Sequence, residues 1–183
     1  MDELLQKIYD CVECGKINAA SPFPPAMKGQ DGAQEYTKSA LEAGYKPSEI
    51  MNKAMIPAMG VVGEKFSKGQ VFVPQMLLAA KAMNAGLAYI KPYFKSGEVK
   101  QKGTFIIGTV FGDMHDIGKN LVAMMVEGSG YNVIDLGVDC PPEKYVAALE
   151  ANPGAVIGMS ALLTTTMTNM KTIIDAVLKE YPG

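Results

Sequence analysis

The chain is 183 residues long, 48% hydrophobic and 20% charged, enough for one domain or two small ones with a buried core. Seventeen Lys and Arg stand against 19 Asp and Glu, a net charge of −2, which excludes the broad basic footprint of a nucleic-acid or anionic-membrane binder. The acidic, amphipathic opening Met1-Asp2-Glu3-Leu4-Leu5-Gln6-Lys7 is not a secretory signal, no apolar run reaches the roughly 18 residues of a membrane span, and three cysteines make no disulfide framework, so a cytoplasmic, soluble protein is expected.

The first half reads as helices. From Asp2 to Cys14 apolar residues recur at Leu4, Leu5, Ile8 and Val12, a helical spacing. The prolines at 22, 24 and 25 break the pattern, because no helix interior accepts them together. A second helix is predicted from Asp31 to Ala43, stopping at Gly44. Lys46-Pro47-Ser48-Glu49 opens a long third one that carries Met51, Met55 and Met59 at four-residue spacing, with a bend expected at Pro57. Gly69-Gln70 ends it, and Val73-Pro74-Gln75 starts a fourth through Met76, Leu77, Ala80, Met83 and Leu87 toward Tyr93. Four helices joined by short breaks bury their stripes against one another, so residues 1–94 are expected to form a four-helix bundle. Residues 95–102 are polar and suit a hinge.

From residue 103 the period changes. Thr104–Val110, Tyr131–Gly137 and Ala155–Ser160 are short β-rich apolar runs of the kind covered on both faces of a parallel sheet. Helical patterns separate them, one with Ile117, Leu121, Met124 and Met125, the next with Tyr145, Val146 and Leu149. A last helix is predicted from about Thr166 through Met170, Ile173, Ile174 and Val177. The expected fold is therefore α then α/β, a helical bundle followed by a doubly wound, flavodoxin-like parallel sheet over residues 103–183. A third strand of such a sheet is normally interior, so the α/β part is expected to be incomplete at its C-terminus, or its edge to be covered by a partner.

The segment after the first strand, Gly112-Asp113-Met114-His115-Asp116-Ile117-Gly118-Lys119-Asn120, holds the only histidine. In a doubly wound fold ligands bind just beyond the carboxyl ends of the strands, where this segment lies. Asp113 is placed to accept the second ring N–H of His115, as carboxylates do behind metal-bound imidazoles. One histidine does not build a zinc site, but it suffices as a single axial ligand to a metal whose other positions a macrocycle fills. A loop histidine satisfied by its neighbours is the plainer alternative. Gly118 allows close approach of backbone to a ligand.

Asp113-x-His115-x-x-Gly118 after a strand resembles the cobalamin-binding motif of the methionine synthase type, and Ser160-x-Leu162 after the third strand resembles its second element. Gly69-Gln70-Val71-Phe72-Val73-Pro74-Gln75-Met76-Leu77 is similar to the cap bundle that precedes such domains. The resemblance spans the chain except about Cys14–Gly29, and it is to the small corrinoid proteins of methyltransferase systems. It implies a cobalamin cofactor, as methylcobalamin and cob(I)alamin, whose cobalt takes His115 as axial ligand. Asp113 and then Thr166 would complete a relay behind that ring. Ser160, Leu162 and Thr164 would line the slot for the displaced base. Gly108, Thr109, Val110, Gly137, Val138 and Asp139 would border the corrin and its tail, and Met114, Asp116, Ile117 and Gly118 would contact it. Phe72, with Met76, Ala79 and Met83, would cover the methyl-bearing face, although plain bundle core explains Met76 and Met83 equally well. The Gly-Gly that follows a fourth strand in the family has no counterpart.

The resemblance implies a methyl carrier, a subunit rather than a stand-alone enzyme. One substrate-specific methyltransferase would load it from a methoxyarene, methylamine, methanol or betaine. A second would unload it to tetrahydrofolate or a thiol, and a reductive activator would rescue it. The proline-rich Ser21–Lys28 segment is similar to that of aryl-ether demethylase systems. Other readings are a cobalamin-dependent sensor or regulator, the small subunit of a mutase, and a receiver-like phospho-acceptor using Asp113. Cys11 and Cys14 read as incidental helix residues, Cys140 as a loop thiol, and Lys119 and Asn120 as the start of a helix.

Overall fold

A computed structural model describes residues 2–95 and 101–182, and the chain divides into two compact units, one built mainly of residues up to 101 and the other mainly of residues from 102 onward. Residues 96–100, most of the expected hinge, lie outside the described residues.

The first unit is helical throughout. Helix α1 (Glu3–Cys14) begins where the Asp2 carboxylate accepts the Leu4 N–H at 3.1 Å, a standard N-cap that satisfies one orphan donor. It ends at Gly15, in the left-handed region with φ 78°. A Cβ there would lie 2.7 Å from Cβ of Leu78, so the bare backbone lets the end of α1 touch α5 (Val73–Lys95). Of the stripe read from the sequence, Leu5, Ile8 and Val12 are buried and Leu4 is half-buried, and α1 packs against α2 (Ala33–Glu42), α4 (Ile56–Ser67) and α5. Each such side chain contributes about 1.5–3 kcal/mol by leaving water. In α2 the Glu35 carboxylate accepts the Gly32 N–H at 2.9 Å, and Gly44, at φ 89°, follows the helix end.

The long third helix is continuous from α3 (Pro47–Ile50) to α4, but its middle is a π turn, Met51–Met55. The Ile56 N–H bonds back to the Met51 carbonyl, and Pro57, next in line, has no N–H to continue an α ladder. The irregularity expected at Pro57 thus takes the form of one widened turn just before it. Met51, Met55 and Met59 all face the core.

The second unit is a three-stranded parallel sheet in the order β2-β1-β3, with β1 at Thr104–Thr109, β2 at Asn132–Asp135 and β3 at Val156–Ser160. Phe105 pairs with Val133 on one side and with Val156 on the other. Helices α6 (Ile117–Gly128) and α7 (Pro142–Ala151) alternate with the strands. The last helical stretch is divided into a short α8 (Thr164–Met167) and α9 (Asn169–Glu180) rather than running unbroken. Val110, Cys140, Tyr145 and Ile173 centre the core, with Leu136, Ile157, Met159 and Val177 packed around them. Because β2 and β3 lie on opposite sides of β1, the chain reverses its direction of travel between β1 and β3. In an open α/β sheet that reversal opens a crevice outside the strands' carboxyl ends. Among the described residues β3 is an edge strand, beside an apolar groove lined by Ile157, Met159, Ile174 and Leu178.

Candidate functional site

The loop after β1 and the loop after β3 meet at that crevice, and one buried carboxylate joins them. Asp113 is fully buried. Its Oδ1 accepts the backbone N–H of His115 at 3.0 Å and faces the ring Nδ1 of His115 at 2.7 Å. Its Oδ2 accepts the Leu162 N–H at 2.9 Å, the Leu163 N–H at 3.3 Å and the Thr166 hydroxyl at 2.6 Å. These donors, foremost the Thr166 hydroxyl and then the His115 amide, hold the Asp113 carboxyl well below the usual carboxylate range despite its burial. An ionised carboxylate only accepts, so Nδ1 of His115 carries the shared proton. In the neutral ring that leaves the Nε2 lone pair unengaged, on a side chain 52% exposed.

Backbone bonds fix this loop from several directions. The Thr109 hydroxyl donates to the His115 carbonyl at 2.9 Å, and the Val110 N–H donates to the Ser160 carbonyl at 3.0 Å. The Asn169 side chain donates to the Phe111 carbonyl at 2.7 Å from the start of α9. The Lys119 ammonium, almost wholly buried, reaches Asp135 at 2.5 Å and Asn120 at 2.7 Å, which ties the start of α6 to the end of β2.

Several large apolar side chains are exposed on the same loops and helix starts as His115, along with Asp116 and Thr164. Met114 is 67% exposed, Ile117 75% and Leu162 64%, with Phe111 and Leu163 also exposed. Large apolar side chains left together in water mark a ligand-binding surface. At Gly118 and Gly137 a Cβ would meet nothing within 4 Å, so bare backbone borders open space there. A free imidazole nitrogen on a braced ring, set in an apolar floor, fits a broad macrocycle that supplies its metal with everything but one axial ligand. Among the described residues no group of three or more His, Cys, Asp or Glu side chains could hold a bare metal ion.

Of the residues read from the sequence, His115, Asp113, Thr166 and Leu162 are joined by hydrogen bonds. Met114, Asp116, Ile117, Gly118 and Thr164 are exposed on the loops and helix starts beside them, and Ser160, Gly137 and Val138 are half-buried. Gly108 and Val110 lie inside the unit: a Cβ at Gly108 would fall 2.7 Å from the Tyr145 hydroxyl, and Val110 is core. That Tyr145 hydroxyl is itself buried, with no hydrogen-bond partner among the described residues. In the helical unit Phe72 is 68% exposed, while Met76, Ala79 and Met83 are buried. Cys140 is buried, and desolvation pushes its thiol up. Asp139 and Asn169 brace the His115 loop, a role that sequence reading missed, because each acts through a bond that only the assembled sheet creates.

The B12 binding domain family matches residues 103–183, and a second family of the same description matches residues 29–91. Trimethylamine corrinoid protein 1 of Methanosarcina acetivorans is 43% identical over 150 residues, covering 81% of this chain and 69% of its own length. The dimethylamine corrinoid protein of Methanosarcina barkeri is 33% identical, covering 98% of this chain and 78% of its own. A chain in the crystal structure of the methanol:cobalamin methyltransferase complex from Methanosarcina barkeri superposes with a TM-score of 0.82 at 33% identity, over 98% of this chain and 64% of that one. This chain thus spans a little under two thirds of that solved chain's length. Braced histidine, apolar floor and both matched regions agree, and the chain belongs to the family of B12-binding corrinoid proteins of methyltransferase systems.

Proposed function

We propose that the chain is a methyl carrier, with His115 as axial ligand of a bound corrinoid. The observation that carries this is the exposed His115 ring whose Nδ1 is engaged by a buried, fully bonded Asp113, so that Nε2 alone faces outward. When bound, the corrin supplies a cobalt centre that accepts a methyl group and hands it on. The protein's own residues orient and hold. Asp113 fixes the tautomer and direction of the ring, and Thr166 fixes Asp113. The proton between Nδ1 and Oδ1 is the one whose position sets how strongly Nε2 donates. Met114, Ile117 and Leu162 exclude water from the floor on which the macrocycle rests.

Ser160, Thr164, Gly137 and Val138 are proposed to border the cofactor's displaced base and tail, with the buried Gly108 and Val110 supporting them from the core, and Phe72 is proposed as a further contact, whereas Met76 and Met83 are core of the helical unit. The partners proposed are a substrate-specific methyltransferase, an acceptor methyltransferase acting on tetrahydrofolate or a thiol, and a reductive activator. The relatives named above carry methylamines and methanol in their names, which makes these donors the first to assay. The methoxyarene reading of the proline-rich segment draws no support from them. Domain limits of 1–94, 95–102 and 103–183 and a cytoplasmic location belong to the same reading; among the described residues no helix is long and apolar enough to cross a membrane.

The test is reconstitution. The purified chain should take up corrinoid and show the absorption of a histidine-ligated form, and His115→Ala should abolish that form while leaving the fold intact by circular dichroism. Methyl transfer from trimethylamine, dimethylamine, methanol and methoxyarenes, each with its methyltransferase, then names the donor. An unchanged spectrum in His115→Ala overturns the reading.

A further inference from the structure

Asp139 occupies an unusual backbone state. Its φ is 52°, the one positive value at a residue other than glycine among the described residues. Side chains rarely accept that region, and Asp and Asn accept it more readily than most. What this conformation achieves is visible in two bonds. The Asp139 Oδ1 accepts the Gly112 N–H at 2.7 Å, and the Asp139 N–H donates to the Asp113 carbonyl at 3.0 Å. Asp139, in the turn after β2, thereby holds the two peptides that flank Gly112–Asp113, while the Asp113 N–H between them donates to the Val110 carbonyl at 3.1 Å. Gly112 meets the grip halfway, with φ 79°. Asp113 is the residue whose side chain orients His115, so its backbone direction sets the direction of the ring. Among the described residues the turn after β2 makes no bond to the imidazole and none to the Asp113 carboxylate; it reaches the His115 loop through Asp139 and, by way of Gly137 and Cys140, through Thr109.

We propose that Asp139 is a positioning residue for the axial histidine, acting through the two peptides that flank Gly112–Asp113. The proposal rests on the reading of His115 as the cobalt ligand. Removing the side-chain acceptor frees the Phe111–Gly112 peptide, loosens the turn that sets the Asp113 backbone, lets the ring reorient and weakens ligation.

Asp139→Gly is the informative variant, because glycine accepts the positive φ at no cost and lacks the acceptor. Its unfolding midpoint should not fall below that of the wild type. Asp139→Ser, too short to reach Gly112, repeats the loss with a side chain present, and Asp139→Asn retains an acceptor oxygen. In the cofactor-free protein, amide exchange at Gly112 relative to Ile106 should quicken about 10-fold in the Gly and Ser variants and stay at the wild-type rate in Asn. In the corrinoid-loaded protein, the titration midpoint of the histidine-ligated form should shift by about 10-fold in the Gly and Ser variants, the size usual for a lost outer-shell partner. The nitrogen splitting in the cobalt(II) electron paramagnetic resonance spectrum should diminish in parallel, and Asn should restore both.

Wild-type exchange and ligation in both Gly and Ser variants overturn the role of Asp139. His115→Gln separates the two claims. If it removes the nitrogen splitting while Asp139→Gly leaves that splitting whole, the positioning claim alone fails. If the splitting survives His115→Gln, the ligand reading fails and the positioning claim falls with it.

Discussion

Asp113 is buried and ionised, a combination that is costly unless every lone pair is met. Here the His115 amide and ring, the Leu162 and Leu163 amides and the Thr166 hydroxyl meet them. A carboxyl whose pKa is lowered by folding adds stability above its unfolded value, near ~4, and that stability is lost as pH falls below it. Thr166 is the foremost cause of the lowering. Thr166→Val should therefore raise the folded pKa of Asp113 and lower the urea midpoint at neutral pH. The gap to the wild type should begin to narrow as the pH falls below about 4, where the unfolded chain takes up the proton, and should close only as the folded carboxyl, held well below the usual range, is protonated as well. A gap that stays constant with pH would mean that the Thr166 hydroxyl does not act through the carboxylate. Whether Thr166 takes part was not legible from spacing, since 53 residues separate it from its partner; only family resemblance singled it out.

Single elements were read more easily than the contacts between them. The stripe Leu5, Ile8 and Val12 is periodic and falls on the buried face of α1, because burial of a stripe is what the period encodes. The π turn at Met51–Met55 was hidden, because its signal, a proline inside an otherwise helical run, is also that of a kink. Lys16 was hidden as well: it is fully buried with its ammonium on the Ser21 carbonyl at 2.9 Å, and a lysine in a loop ordinarily reads as solvated. Gly15 marks the helix end in sequence, but its second role, the close approach to Leu78, needs the packed bundle. Gly15→Ala combines an unfavourable φ with a contact too short for any Cβ, and should cost about 2–3 kcal/mol of bundle stability. Chemical denaturation followed by helix ellipticity measures it, and a loss under about 0.5 kcal/mol would mean that α1 and α5 shift apart freely.

At the scale of the whole molecule, the α-then-α/β order was legible because the hydrophobic period changes once, from helical to strand-and-helix, near residue 103. The order β2-β1-β3 is the start of the flavodoxin-like arrangement that the resemblance implied, whereas the residues alone do not say which side of β1 each crossover takes. That order places the switch between β1 and β3, and with it the crevice. A ligand that binds only the folded chain stabilises it by mass action, about 2.7 kcal/mol at a hundredfold excess over its dissociation constant. Corrinoid should therefore raise the thermal midpoint of the wild type, and the increment should shrink in His115→Ala. Equal increments would place the bound corrinoid away from this ring.

Since a single carboxylate gathers amides and a hydroxyl from chain 49 to 53 residues downstream, no socket exists until β3 has docked on β1. A nascent polypeptide released only as far as α6 would display a bare imidazole with nothing to aim it. If His115 is the cobalt ligand, loading would wait for β3, because a chain without it lacks the amides and hydroxyl that hold Asp113 Oδ2.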